Sequence, residues 1–103
     1  MNLASEYPKI ASLKRIKEQH ESFLDELIHL RKQLAEAHLD LARHKAKTVI
    51  LSQGELNVLK QLEVSLLNQI ESLEEEIKNF SIREGNLKEV ENKIRLLEEK
   101  FIR

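Results

Sequence analysis

The chain has 103 residues, a net charge of −1 and 34% charged residues, with 4% aromatic residues, two glycines, one proline and no cysteine. The lack of cysteine excludes disulfide bonds and thiolate metal sites, and near-zero net charge with 41% hydrophobic residues argues against a disordered chain. The length suits a single domain over residues 1–103, and the composition is typical of long helices or coiled coils.

The first predicted element is a long amphipathic helix, arm one, over residues 8–52. Pro8 suits a first helical turn, because the N–H group that proline lacks would have no helical partner there. Apolar residues then recur at alternating spacings of three and four, which is the heptad pattern of a coiled coil. The residues on this seam are Leu13, Ile16, His20, Phe23, Leu27, Leu30, Leu34, Ala37, Leu41, His44, Thr48 and Leu51.

A turn between two antiparallel helices is predicted at residues 52–55. Apolar residues mirror one another about the junction of Gln53 and Gly54, as two packed helices require. Gly54 suits a helix end, because glycine adopts left-handed backbone conformations without steric cost. Ser52 and Glu55 match the capping box that begins a following helix. A continuous helix through Gly54 is the alternative, at a cost of about 1 kcal/mol.

Arm two is predicted over residues 55–103, with a kink or break near 81–86. Its first seam residues are Leu56, Leu59, Leu66, Ile70, Leu73, Ile77 and Phe80. Glu84 then occupies a seam position beside Gly85, and the apolar stripe shifts its register. The shifted stripe consists of Leu87, Val90, Ile94, Leu97 and Phe101. The mirrored positions of Leu13 and Ile94 favour continued packing of residues 86–103 on arm one, and packing on another chain is the alternative.

The expected fold is therefore all-α, a long antiparallel helical hairpin of the coiled-coil type. Apolar residues outside the seam exceed what one pair of helices hides, which is typical of helices in larger bundles. We expect two hairpins to form a homodimeric four-helix bundle, and isolated surface leucines are the alternative. The candidate interface residues are Leu24, Ile28, Leu39, Val58, Leu62, Leu67 and Leu96.

Three polar residues stand out because they fall at or beside the seam. His20 and His44 occupy core positions, where a polar side chain commonly specifies the register or the oligomeric state. The mirrored pairing places His44 opposite Glu63, so a partly buried, pH-sensitive pair of His44 with Glu63 or Asp40 is a further hypothesis.

The densest basic stretch, 43–47, contains Arg43, Lys45 and Lys47. A solvated helical face is the favoured interpretation, and contact with an anion or a nucleic acid is the alternative, because clustered cations release counterions on binding. Glu26 and His29 have the spacing of a di-iron ligand pair, but they flank the seam and no second copy exists. We therefore expect no catalytic, metal or cofactor site.

These patterns predict a non-catalytic protein–protein interaction module, such as a scaffold, an adaptor or a chaperone-like subunit. It would act by homodimerisation and by presenting helical surfaces to an unidentified helical protein partner. A helical protein that binds nucleic acid or anions through residues 43–47 is the alternative function. We expect a cytoplasmic protein without membrane contact, since neither a signal peptide nor a long apolar run is visible.

Overall fold

The structure, a computed structural model, describes the backbone of residues 3–102 and the side chains of residues 7–100. Its elements in chain order are the helices α1 (Leu3–Lys45), α2 (Gln53–Glu84) and α3 (Leu87–Ile102). The predicted all-α helical hairpin is confirmed. Pro8 lies inside α1 rather than at its start, so the helix begins before the position predicted for arm one. Across the described range, none of the helices is both long enough and apolar enough to span a membrane.

The first helix ends seven residues before the predicted position, at Lys45 rather than residue 52. Lys47 adopts a left-handed conformation, with φ of 63°, just beyond the helix end. The N–H of Lys47 donates to the His44 carbonyl and the N–H of Thr48 donates to the Arg43 carbonyl, both at 3.0 Å. This pair of hydrogen bonds is a Schellman motif, which closes a helix by satisfying its last carbonyl groups.

The second helix begins at Gln53, so Gly54 lies in its first turn and the predicted turn at Gly54 is wrong. The side chain of Ser52 accepts a hydrogen bond from the N–H of Glu55 at 3.1 Å, as the capping box requires. The carbonyl of Ser52 accepts the first helical hydrogen bond, from the N–H of Leu56. Ser52 is therefore the N-cap of α2, and residues 46–52 connect the helices.

The break between α2 and α3 falls where the sequence suggests. Gly85 has φ of 89°, and its N–H donates to the Ser81 carbonyl at 2.8 Å, which ends α2 in a left-handed cap. Asn86 is the N-cap of α3, because its side-chain oxygen accepts a hydrogen bond from the N–H of Glu89 at 2.9 Å. These two residues reset the helical register and produce the shifted apolar stripe.

The helices form two compact units. The loop unit, Asp25–Glu75, contains the second half of α1, the connection and most of α2. The terminal unit combines Met1–Leu24 with Glu76–Arg103. The prediction of a single domain stays a prediction.

Each unit has its own core, made mostly of seam residues. The buried core of the loop unit comprises Leu27, Leu30, Ala37, Leu66, Ile70 and Leu73. The buried core of the terminal unit comprises Ile10, His20, Val90 and Ile94. The other seam residues of arm one are half-buried except Thr48, which is exposed because it lies beyond the end of α1. The heptad pattern thus identifies the packed face correctly wherever the chain is helical.

Candidate functional site

Large apolar side chains lie exposed on both units. All seven candidate interface residues named above are exposed, with Val49, Ile50, Val64, Ile82 and Tyr7 in addition. Exposed leucines are common singly, whereas a contiguous apolar patch indicates an interaction surface. The arrangement of these side chains therefore decides what they do.

One ion pair and one contact between a histidine and a carboxylate join α1 to α2 in the loop unit and identify one side of it. Arg31 contacts Glu74 at 3.2 Å, and His38 contacts Glu63 at 2.8 Å. On the surface of a helix, each of these residues has as its neighbours the residues three or four positions before and after it. The exposed apolar residues that meet this condition form what we call the apolar flank: Ile28, Ala35 and Ala42 on α1, and Leu67 on α2. Val64, which follows Glu63 and shares a groove with the same edge of α2, completes it.

The other side of the loop unit has a different chemistry. Leu62 is exposed to nearly the same extent as Leu67, 43% against 46%, but five positions separate them, about 140° around a helix. The exposed residues at seven-residue spacing along that side, which we call the polar flank, are mostly polar or acidic: Glu26, Gln33, Asp40 and Gln69. Leu62 and Val58 are the apolar exceptions. The apolar flank is therefore the better candidate for a protein contact.

An open groove of about 940 Å³ lies beside the connection, at one end of the loop unit. Its apolar lining comes from Leu41, Ile50, Leu56 and Val64, and Ile50 is 86% exposed. Its basic lining comes from Lys45, Lys47 and Lys60. Within the side chains described, none of these lysines forms an ion pair, whereas Arg43 contacts Asp40 at 3.9 Å. Two of the three basic candidates from the sequence, Lys45 and Lys47, thus meet at this groove with Lys60, which the sequence analysis missed.

The polar seam residue His44 has a structural partner that differs from the hypothesis. Its Nδ1 accepts a hydrogen bond from the backbone N–H of Leu51 at 3.1 Å. Glu63 instead contacts His38, and Asp40 contacts Arg43. The hypothesis that His44 pairs with Glu63 or Asp40 is therefore replaced by a role in folding the connection. Because α1 ends at Lys45, His44 occupies the last turn and its side chain reaches the loop rather than α2.

His20 is the one polar residue among the described side chains that is buried, at 4% exposure. Its Nε2–H donates to the carbonyl of Gly85 at 2.8 Å. The imidazole ring also lies edge-on to Phe80, with 4.8 Å between the ring centroids. His20 therefore binds the break between α2 and α3 to α1, which fixes the register of the terminal unit as a seam polar residue is expected to do.

Aromatic and cationic side chains complete the surroundings of His20. Phe23 packs edge-to-face on Phe80 at 5.4 Å between centroids, and the Arg83 guanidinium lies 5.6 Å from the same ring. The carbonyl of Gly85 is beyond the end of α2, so no helical N–H reaches it. This cluster is a structural anchor, since His20 has a partner for its N–H and lies against an apolar ring.

The terminal unit carries a second open groove, of about 590 Å³. Its lining includes Leu13, Leu96 and Leu97 with Lys9 and Lys93. Leu96 is 55% exposed there, so this predicted interface residue lies in an apolar concavity.

We find no group of three or more His, Cys, Asp or Glu side chains that could hold a metal ion among the described residues. Glu26 and His29 are both exposed. No family model, no curated protein and no solved structure matches this chain.

Proposed function

We propose that this protein is a non-catalytic coiled-coil interaction module that self-associates and presents helical surfaces to a helical protein partner. The observation that carries the proposal is the apolar flank of the loop unit. There, the side chains of Ile28, Val64 and Leu67 are exposed to solvent. They remain exposed although they lie near the contacts that join α1 to α2. Surfaces of this kind are typical of helical hairpins that complete a bundle by association.

The energetic argument rests on burial. Full burial of a leucine, isoleucine or valine side chain contributes roughly 1.5–3 kcal/mol. In the loop unit each helix packs on a single neighbour, which leaves these side chains 46–64% exposed. Association of two such units would bury them together, whereas the seam alone leaves them in water. The scaffold or adaptor role then follows from geometry, because a helical surface binds other helices through apolar residues at helical spacing.

The test is the mass of the protein in solution, measured by sedimentation equilibrium over a wide concentration range. Self-association predicts a mass of about twice the 12.1 kDa of the chain. A stable monomer at high micromolar concentration would contradict the proposal.

The lysines at the groove favour a second candidate function, the binding of an anionic polymer such as a nucleic acid. Lys45, Lys47 and Lys60 meet around one concavity without ion-pair partners among the described side chains. Binding of this kind weakens steeply with salt, because the released counterions supply its free energy. Fluorescence anisotropy with a labelled generic RNA, repeated at several salt concentrations, tests it. Lys88→Glu in α3 is the matched control for Lys60→Glu, and equal effects of the two would refute a role of the groove.

A further inference from the structure

We propose that two copies of this chain associate through the apolar flank with their loop units antiparallel, about a twofold axis that passes Ala35 and Leu67. The proposal rests on the self-association proposed above and specifies the face, the orientation and the centre of the contact.

Ala35 and Leu67, the two residues at the centre, lie at the same height along the helix axes of the loop unit. The pairs Arg31–Glu74 and His38–Glu63 are two cross-links between α1 and α2. Ala35 lies between the two cross-linked positions of α1, and Leu67 lies between the two of α2. One twofold axis perpendicular to the helices therefore passes both residues, placing each helix antiparallel to its own copy.

The sequence around each centre is self-complementary under this symmetry. On α2, Lys60 and Glu74 each lie seven residues from Leu67, on the same edge of the helix. In an antiparallel pair, Leu67 therefore meets Leu67 of the second copy, and Lys60 meets its Glu74. On α1, Ile28 and Ala42 each lie seven residues from Ala35. Ile28 of one copy therefore faces Ala42 of the other copy, and a large apolar side chain packs on a small one on either side of the centre.

Charge selects the antiparallel orientation over the parallel one. Lys45 and Lys60 line the same groove and therefore lie at the same end of the loop unit. A parallel arrangement would bring these lysines close to the same lysines of the second copy, which costs free energy by repulsion. The antiparallel arrangement places Lys60 at Glu74 instead. The Glu74 side chain is 51% exposed beside Arg31, so it can accept a second cation.

The contact is tested by substitutions at two leucines with similar exposure on opposite flanks. Leu67→Asp is expected to raise the dissociation constant of the dimer by at least about tenfold, because it places two carboxylates at the centre. Leu62→Asp, on the polar flank, is expected to change the constant less than about twofold. Far-ultraviolet circular dichroism checks that both variants are equally helical. An equal effect of the two substitutions, or a larger effect of Leu62→Asp, overturns the proposal.

The orientation is tested by cysteine cross-linking, for which the chain is suited because it has no cysteine of its own. Leu67→Cys and Ala35→Cys are expected to form disulfide-linked dimers. Lys60→Cys alone is expected to remain unlinked, because the two copies of this residue would lie roughly 20 Å apart. A mixture of the Lys60→Cys and Glu74→Cys variants is expected to form a linked heterodimer.

The possible failures are distinguishable. A wild-type chain that stays monomeric overturns this inference together with the proposed function. If the chain dimerises but two copies of Lys60→Cys form a disulfide, the antiparallel contact is overturned and self-association stands. The same conclusion follows if two copies of Leu67→Cys form no disulfide.

Discussion

The two glycines are expected to respond to alanine with opposite signs, and the comparison locates the connection between α1 and α2. Gly54 lies in the first turn of α2, and a Cβ atom there would meet nothing nearer than the Ser52 side-chain oxygen at 3.9 Å. Gly54→Ala therefore introduces a better helix former without a clash. It should raise the free energy of unfolding by about 0.5–1 kcal/mol.

Gly85 is in the opposite situation. Its φ of 89° is a conformation that residues with a Cβ rarely adopt, and the added Cβ would lie 3.0 Å from a carboxylate oxygen of Glu89. The Glu89 side chain can move, so backbone strain dominates, and Gly85→Ala should lower the free energy of unfolding by about 1–2 kcal/mol.

The assay is urea denaturation followed by circular dichroism at 222 nm, at one fixed protein concentration because association contributes to apparent stability. Unchanged m-values would show that the compared states bury the same surface. If Gly54→Ala lowered stability, Gly54 would be at the turn and the assigned connection at residues 46–52 would be refuted. If Gly85→Ala raised stability, the left-handed cap of α2 would be refuted.

Three further substitutions test local features of the fold by the same denaturation assay. Lys47→Gly should raise the free energy of unfolding by about 1 kcal/mol, because glycine adopts the left-handed conformation without strain; a loss of stability would contradict the Schellman motif. His20→Ala should lower it by about 2–4 kcal/mol, since it removes a hydrogen bond to a partly buried carbonyl and an edge-to-face ring contact. His20→Gln should recover part of that loss through its side-chain amide, and identical losses for the two variants would show that the hydrogen bond contributes nothing. Ser52→Ala should lower it by about 1 kcal/mol by removing an N-cap, while Ser72→Ala, at an exposed position in the interior of α2, serves as the control and should not destabilise.

The connection between α1 and α2 lies before the predicted turn, and a second signal in the sequence marks its position. Gly54 suggests a turn, yet it lies in the first turn of α2, where a glycine costs only about 0.5–1 kcal/mol relative to alanine. The run Thr48-Val49-Ile50 holds three β-branched residues, which are poor helix formers, and it marks the connection more directly. The capping box at Ser52 was correct, and it locates the start of α2 on its own.

The partners of the polar seam residues could not be read from the chain for a geometric reason. The mirrored pairing assumes a turn of no length, whereas the real connection occupies residues 46–52 and shifts the register of α2 against α1 near the loop. Glu63 consequently meets His38 instead of His44. Farther along α2 the shift is small, so that Arg31 contacts Glu74, whose mirrored position on α1 is only two residues from Arg31.

The sequence by itself determined the helices, the packed face and the break at Gly85, because heptad spacing and capping residues act within one or two helical turns. The tertiary structure alone decided which exposed residues share a surface. Helical spacing alone places Leu62 and Leu67 on opposite edges of α2, about 140° apart. The contacts of Arg31 with Glu74 and of His38 with Glu63 decide that the Leu67 edge of α2 shares a flank with Ile28 and Ala35 of α1. That assignment depends on how two helices face each other, which no local pattern encodes.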